Sequence, residues 1–153
     1  MTRSVVNSAP YKVDLSAHLA DCEMNYLRLQ KILPNSLEDG QCLRFQMGTS
    51  QLGITVIEQA PYTAMLELRL NRASGASWTR AELQVRMYHD AALAEVVASK
   101  GGRPLRPRYH YPNSAMYQRD EKAQRNRFLG EWLSYCLRCG HALDTPITSV
   151  DSL

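Results

Sequence analysis

The chain has no apolar run long enough to cross a bilayer. Its longest small and apolar stretch, Ala91 to Ala98, is broken by Glu95, far short of the ~20 residues a spanning helix needs. The lead, Met1 to Asp14, is mixed and polar and lacks the apolar core of a secretion signal. The expected address is therefore the cytoplasm, with no membrane partner. There the four cysteines, Cys22, Cys42, Cys136 and Cys139, would be free thiols. Also missing are a Gly-x-Ser-x-Gly elbow, a phosphate-cradling glycine-rich loop and a dinucleotide fingerprint. No zinc finger, helix-turn-helix or RNA-recognition signature is present. Neither is an internal repeat or a low-complexity tract. These absences set aside the familiar routes to hydrolase, nucleotidase and oxidoreductase chemistry, and no cofactor is expected.

What is present suits one globular domain over residues 1–153. Apolar residues make up 44% of the chain and charged residues 22%, which is ordinary for a folded protein and argues against global disorder. At 153 residues a chain buries roughly two-thirds of its unfolded surface without disulfide staples. The ordered core is expected over about 13–143, with a frayed lead and tail.

Hydrophobic period assigns the elements. Leu15, Leu19, Cys22, Tyr26, Leu29 and Leu33 recur in steps of three and four, one face of a helix. Asp14 suits its N-cap, and Pro34 ends it by lacking an N–H and disfavouring helical geometry in Leu33. The period then becomes two. Leu43, Phe45 and Met47, then Leu52, Ile54 and Val56, then Ala64 to Leu70, then Leu83, Val85 and Met87 each alternate with outward residues. Gly48-Thr49-Ser50 and Gln59-Ala60-Pro61 are short turns, and short links require antiparallel neighbours. A longer join is expected from Asn71 to Arg80. Glu95-Val96-Val97 reads as a fifth strand rather than a short helix, ended by Lys100-Gly101-Gly102. A second helix runs from Ser114 or Gln118 to Cys139. Its buried face is expected to hold Phe128, Trp132, Leu133, Cys136 and Leu137, with Gly140 as the left-handed residue past its end. The fold class is α+β: an N-terminal helix, an antiparallel meander of four or five strands and a C-terminal helix, both helices on one face of the sheet.

Charge is unevenly spread. Between Lys100 and Arg127 stand eight Lys/Arg against Asp120 and Glu121, a local net of +6 within an overall +3. The stretch Arg103 to Asn113 carries Pro104, Pro107 and Pro112 and must be extended or irregular. In extended chain Arg106, Arg108 and His110 share one side, and Tyr109 and Tyr111 the other. Spacing along such a row is about 6–7 Å, near that of successive phosphates on a single strand. Guanidinium forks suit phosphate or carboxylate oxygens, and tyrosines offer stacking faces. Arg106, Arg108, Tyr109, His110, Tyr111, Arg119 and Lys122 are therefore the candidate ligand-binding set. The partner would be a nucleotide, an RNA or an acidic protein. The bland alternative is that these cations pair with local acids such as Asp120 and Glu121 while the tyrosines pack on the sheet.

Two other groupings invite chemistry. His89-Asp90, with His110 and with Asp120 or Glu121, would supply ligands for a metal-assisted phosphoester hydrolase. A turn accounts equally for Asp90, and His89 continues the buried face of Leu83 to Met87. Cys136, Cys139 and His141 resemble half a zinc site but lack a second close pair. At a helix C-terminus the dipole raises rather than lowers thiol pKa, so a redox role does not suit them. A non-enzymatic binding or regulatory domain is the reading these residues favour.

Several segments in fixed order carry a resemblance. Cys22-Glu-Met-Asn25 with Leu33-Pro34, Arg86-Met-Tyr-His-Asp-Ala91, Ala94-Glu-Val96, Arg108-Tyr-His-Tyr-Pro-Asn113, Gln118-Arg-Asp-Glu-Lys122 and Trp132-Leu-Ser-Tyr-Cys-Leu137 together resemble the uncharacterised YqiB-like family of proteobacterial proteins, over about residues 13–142. The family is a domain of unknown function, so the resemblance implies no catalytic residues. Its genes tend to lie beside those for a cyclic-AMP phosphodiesterase and an ADP-ribose pyrophosphatase, which implies nucleotide or phosphate ligands. Cys139 is outside the family pattern.

Overall fold

The computed structural model describes residues 15–74, 77–101 and 114–143, with side chains placed for 15–72, 80–100 and 121–143. The elements run in the order α1 (Leu15–Ile32), β1 (Cys42–Met47), β2 (Ser50–Gln59), β3 (Thr63–Ser74), β4 (Ser77–Tyr88), β5 (Leu93–Gly101), α2 (Ser114–Cys139) and β6 (His141–Ala142). The strands form one sheet in the order β5-β4-β3-β2-β1-β6, and every neighbouring pair is antiparallel. This is an α+β fold. Among the described residues no helix is long and apolar enough to cross a membrane.

Alternation along the strands decides where the core lies. Leu52, Ile54 and Val56 of β2, Leu66 and Leu68 of β3, Leu83, Val85 and Met87 of β4, and Ala94 and Val96 of β5 are all buried on one face. Tyr26, Leu29 and Leu33 of α1 and Leu129, Trp132, Leu133 and Cys136 of α2 pack onto that face. Each fully buried Leu or Val contributes about 1.5–3 kcal/mol relative to exposure, so this single layer of contacts dominates stability. Residues of the opposite parity face away. There Arg69 sits between Glu67 and Glu82 at 3.4 and 3.6 Å, a solvated arrangement worth little.

Helix α1 ends as its sequence requires: Leu33 N–H donates to Leu29 O at 2.8 Å, and Pro34 cannot extend the ladder. The apolar stripe is buried only from Cys22 onward. Leu15 and Leu19, expected on it, are 62% and 49% exposed. The expected N-cap, Asp14, lies outside the described residues.

Four further expectations change. The join from Asn71 to Arg80 is not a loop, because β3 and β4 stay paired from Asn71↔Arg80 to Ser74↔Ser77. A ladder is held by backbone groups and needs no apolar alternation, so the polar sequence there concealed it. Phe128 and Leu137 are 38% and 42% exposed. Trp132, Leu133 and Cys136 are buried as expected, and Ala123, Asn126 and Leu129 complete the buried face, which leaves Phe128 and Leu137 on its flanks. Gly140 does not have positive φ, unlike Gly40 and Gly48. Glycine is required at 140 because a Cβ there would stand 2.6 Å from Cys136 O. The sixth strand was not foreseen. His141 and Ala142 pair with Gln46 and Phe45, and Leu143 N–H donates to Arg44 O at 2.9 Å. Two residues are too short to show a period.

The β2–β3 pairing shifts register between Val56 and Glu58. Ile57 falls at this bulge and is exposed, as the extra residue of a bulge is free to be.

Candidate functional site

Two asparagines set the seam on which the candidate site is built. Asn25 of α1 and Asn126 of α2 are both fully buried, and a buried carboxamide must find partners. Asn25 Nδ2 donates to Asn126 O at 2.9 Å. Asn126 Oδ1 accepts the backbone N–H of Val96 at 3.0 Å, and its Nδ2 donates to Lys122 O at 3.3 Å. Asn25 Oδ1 accepts from Arg28 Nη1 at 2.8 Å. One polar chain thus joins α1, α2 and the edge strand β5. It also holds the Arg28 guanidinium at the helix–helix surface.

Gly130 lets the helices approach there. A Cβ at this position would lie 3.0 Å from both Arg28 Nη1 and Asn25 Oδ1. The small residue opens a groove of about 340 Å³ between α1 and α2, lined by Asp21, Arg28, Arg127, Glu131, Ser134 and Arg138. Arg127, Gly130, Ser134 and Arg138 recur at helical spacing and share one side of α2. None of the three guanidinium groups forms an ion pair among the described residues. Arg138 instead lies over the Tyr135 ring, 5.7 Å from its centroid, a geometry that leaves its N–H forks open. Three arginines against Asp21 and Glu131 leave the groove net positive.

On the other side of α2 a second cleft, of about 320 Å³, separates the helix from the β1–β2 turn and the end of β3. Thr49, Ser50, Arg72, Phe128, Trp132 and Tyr135 line it. Phe128 meets Trp132 edge to face at 5.0 Å. Gly48, with φ of 62°, would place a Cβ 3.0 Å from Tyr135 Oη, so the phenol closes down on the turn. Trp132 is 4% exposed and its indole Nε1–H has no hydrogen-bond partner among the described residues. Such a donor costs about 1–3 kcal/mol.

The predicted site residues distribute as follows. Arg106, Arg108, Tyr109, His110 and Tyr111 lie outside the described residues. Arg119 is in the helical backbone of α2, and its side chain lies outside the description. Lys122 is described, and its ammonium pairs with Glu95 at 2.9 Å. Arg125 likewise pairs with Glu121 at 3.2 Å, one helical turn away.

His89 ends the buried face of β4, and its Nδ1 hydrogen-bonds the Tyr26 hydroxyl at 2.9 Å. Asp90 is exposed in the turn that follows. His110, the third expected ligand, is outside the described residues. Among the described residues no three His, Cys, Asp or Glu side chains converge as metal ligands. Cys136, Cys139 and His141 are therefore not assembled into a site. Cys136 Sγ is buried in the core and burial pushes its thiol up to about 11, Cys139 Sγ donates to Tyr135 O at 3.4 Å, and His141 is exposed on β6.

Sequence reasoning missed Arg28, Arg72, Arg138 and both asparagines. A signal existed for one of them: Arg127, Gly130, Ser134 and Arg138 form a small-and-basic stripe of helical period. Arg28 and Arg72 enter only through tertiary packing.

Fold and groove together define a class, an α+β domain whose paired helices roof one sheet face and present along their seam arginines that form no ion pair among the described residues. The chain belongs to the family described as Protein of unknown function (DUF1249), whose model matches residues 28–142. It is similar to the uncharacterized protein YqiB of Escherichia coli strain K12, 36% identical over 137 residues, 90% of this chain and 97% of that protein. The proteins of the same name from strains CFT073 and O157:H7 match to the same extent. No solved structure matches the chain.

Proposed function

We propose that this chain is a non-enzymatic binding domain that recognises an anionic partner (a nucleotide, an RNA or an acidic protein surface) through arginines arrayed along α2. The observation that carries this reading is the groove in which Arg28, Arg127 and Arg138 converge without a single ion pair among the described residues. A guanidinium presents a planar fork matched to phosphate and carboxylate oxygens. Three of them against only Asp21 and Glu131 leave one concavity net positive, which favours an acidic partner. The strip Arg106, Arg108, Tyr109, His110 and Tyr111, together with Arg119, precedes and enters the same helix. It belongs to the same proposed anion-binding set.

The test is a titration of short RNA and of a polyglutamate peptide, each followed by fluorescence anisotropy at two salt concentrations. Binding should weaken as salt rises. The Arg127→Ala/Arg138→Ala variant should lose affinity, and Arg106→Ala/Arg108→Ala should lose it as well. Salt-independent binding, or none to either polyanion, sinks the proposal. Retained binding in the Arg127/Arg138 variant moves the surface elsewhere.

A further inference from the structure

The cleft on the far side of α2 differs from the groove in kind. Its polar side chains include the Arg72 guanidinium, which forms no ion pair among the described residues, and the hydroxyls of Thr49 and Ser50, while the indole N–H of Trp132 is closed off from solvent and has no partner among the described residues. Its walls are aromatic, with Phe128 and Tyr135 each 38% exposed. The one carboxylate on its rim is Glu131, which also lines the groove. Donors gathered at one concavity select an anion. Half-exposed rings select a flat ring to stack on them. A lone rim carboxylate repels a bare anion but accepts hydrogen bonds from hydroxyl or amino groups attached to one. Size narrows the choice further: about 320 Å³ lies at the lower end of small-molecule sites, room for one ring system and its phosphate.

From these features we infer that the cleft is a binding site for a nucleoside monophosphate. The phosphate faces Arg72, Ser50 and Thr49, the base stacks on Phe128 or Tyr135, and Glu131 accepts from the sugar hydroxyls or a base amino group. This site goes beyond the polyanion surface proposed above, and it uses none of the three groove arginines. Trp132 reports on it. Its indole N–H, closed off from solvent and unpartnered, senses any rearrangement of the cleft on binding.

The experiment follows the indole resonances of nitrogen-15-labelled full-length protein by NMR. The chain has two tryptophans, and Trp78→Phe assigns the Trp132 signal. AMP, GMP, CMP and UMP are titrated, with adenosine and inorganic phosphate as half-ligands. At least one monophosphate should shift the Trp132 indole saturably, and adenosine and phosphate should each bind about tenfold or more weaker. Arg72→Ala, an exposed position, should weaken the nucleotide by about tenfold or more, with Ser50→Ala acting in the same direction. Arg28→Ala, a groove residue on α1 that does not line the cleft, should stay within about twofold of the parent. The inference is overturned if none of the four nucleotides moves Trp132, if Arg72→Ala binds like the parent, or if phosphate alone binds as well as the nucleotide. Loss of RNA binding in the Arg127/Arg138 variant with the Trp132 response intact would separate the two sites.

Discussion

The carboxamide oxygen of Asn126 accepts the backbone N–H of Val96 at 3.0 Å, so a buried helix side chain stands in for the missing neighbour of an edge strand. Strand edges present unpaired N–H groups that must find water or a partner. Here α2 supplies the partner, and Asn25 ties α1 to the backbone carbonyl of the same residue at 2.9 Å. Replacing Asn126 by Ala leaves the Asn25 contact in place but strands the Val96 amide, which costs about 1–3 kcal/mol. A small cavity adds to the loss. Urea unfolding should show a lower midpoint at unchanged slope, with a total near 2–4 kcal/mol. In the same variant, hydrogen exchange at Val96 should accelerate more than at Leu66 in the sheet centre. Equal acceleration at both would mean that Asn126 stabilises the fold as a whole without capping the edge.

Gly130 of α2 stands against Asn25 and Arg28 of α1, and its substitution pits two effects against each other. Alanine in a helix interior is favoured over glycine by about 1 kcal/mol. The added methyl meets Arg28 Nη1 and Asn25 Oδ1 at 3.0 Å. Arg28 is the end of a flexible chain and can swing away, whereas Asn25 is fully buried and held by its bond to α2. Gly130→Ala should therefore be destabilising by about 1 kcal/mol net, despite the better helix former, and should weaken anion binding by displacing Arg28. A stabilised variant with intact binding would show that the seam yields freely.

The buried thiols set an alkaline limit. Burial raises Cys136 from 9.0 to about 11, and it does the same to Cys22, with help from the Glu95 carboxylate. A group whose folded pKa lies above its unfolded value contributes fully below the unfolded value and loses that contribution as pH rises through the folded one. Stability should fall between about pH 9 and 11. Cys136→Ala should be less stable than the parent at pH 7 and show a shallower fall across that window, measured by thermal unfolding in a pH series. Parallel curves for parent and variant would assign the fall to other groups. At neutral pH a thiol reagent should label Cys42, which is exposed, well before Cys136.

Charge on α2 supplies a fourth expectation. Each phosphate contact contributes about 0.7 to the slope of log affinity against log salt on a single strand. Arg28, Arg127 and Arg138 acting together should give an RNA slope near −2, and Arg127→Ala/Arg138→Ala should bring it to about −0.7, the share of Arg28, if the strip at 106–111 contributes nothing. A residual slope of about −1.5 or steeper would assign the remainder to that strip. Lys122→Ala should leave the slope unchanged, because its ammonium is already held by Glu95 at 2.9 Å. As a half-exposed pair, that contact is worth at most about 1 kcal/mol.

Strand and helix content was legible because period is a local property. The alternation of Leu52-Ile54-Val56 and Leu83-Val85-Met87 needs only a sheet with one covered face, and that is what forms. Boundaries failed where local pattern carries no information. The polar run 71–74 pairs with β4 without any apolar alternation, and β6 consists of two exposed residues whose partner, β1, is far away in sequence. The face of α2 was misjudged because Phe128 and Leu137 look like core while Asn126 does not. A buried asparagine becomes visible only when the Val96 amide it satisfies is placed beside it. For the same reason the basic strip was conspicuous in sequence while Arg28 and Arg72 were not: the first is a cluster in one dimension, and the others meet their neighbours only in three.

The order of elements has a consequence for synthesis. The first helix and five strands leave the ribosome before Leu129, Trp132, Leu133 and Cys136 exist to roof them. During that interval the nascent sheet carries an apolar floor with half its lid and two raw margins. The stretch that follows β5 then closes the floor, with Asn126 satisfying the amide on one margin and residues 141–142 zipping onto the other. A polypeptide released early would therefore be a sticky, open-edged species, suited to capture by chaperones and proteases.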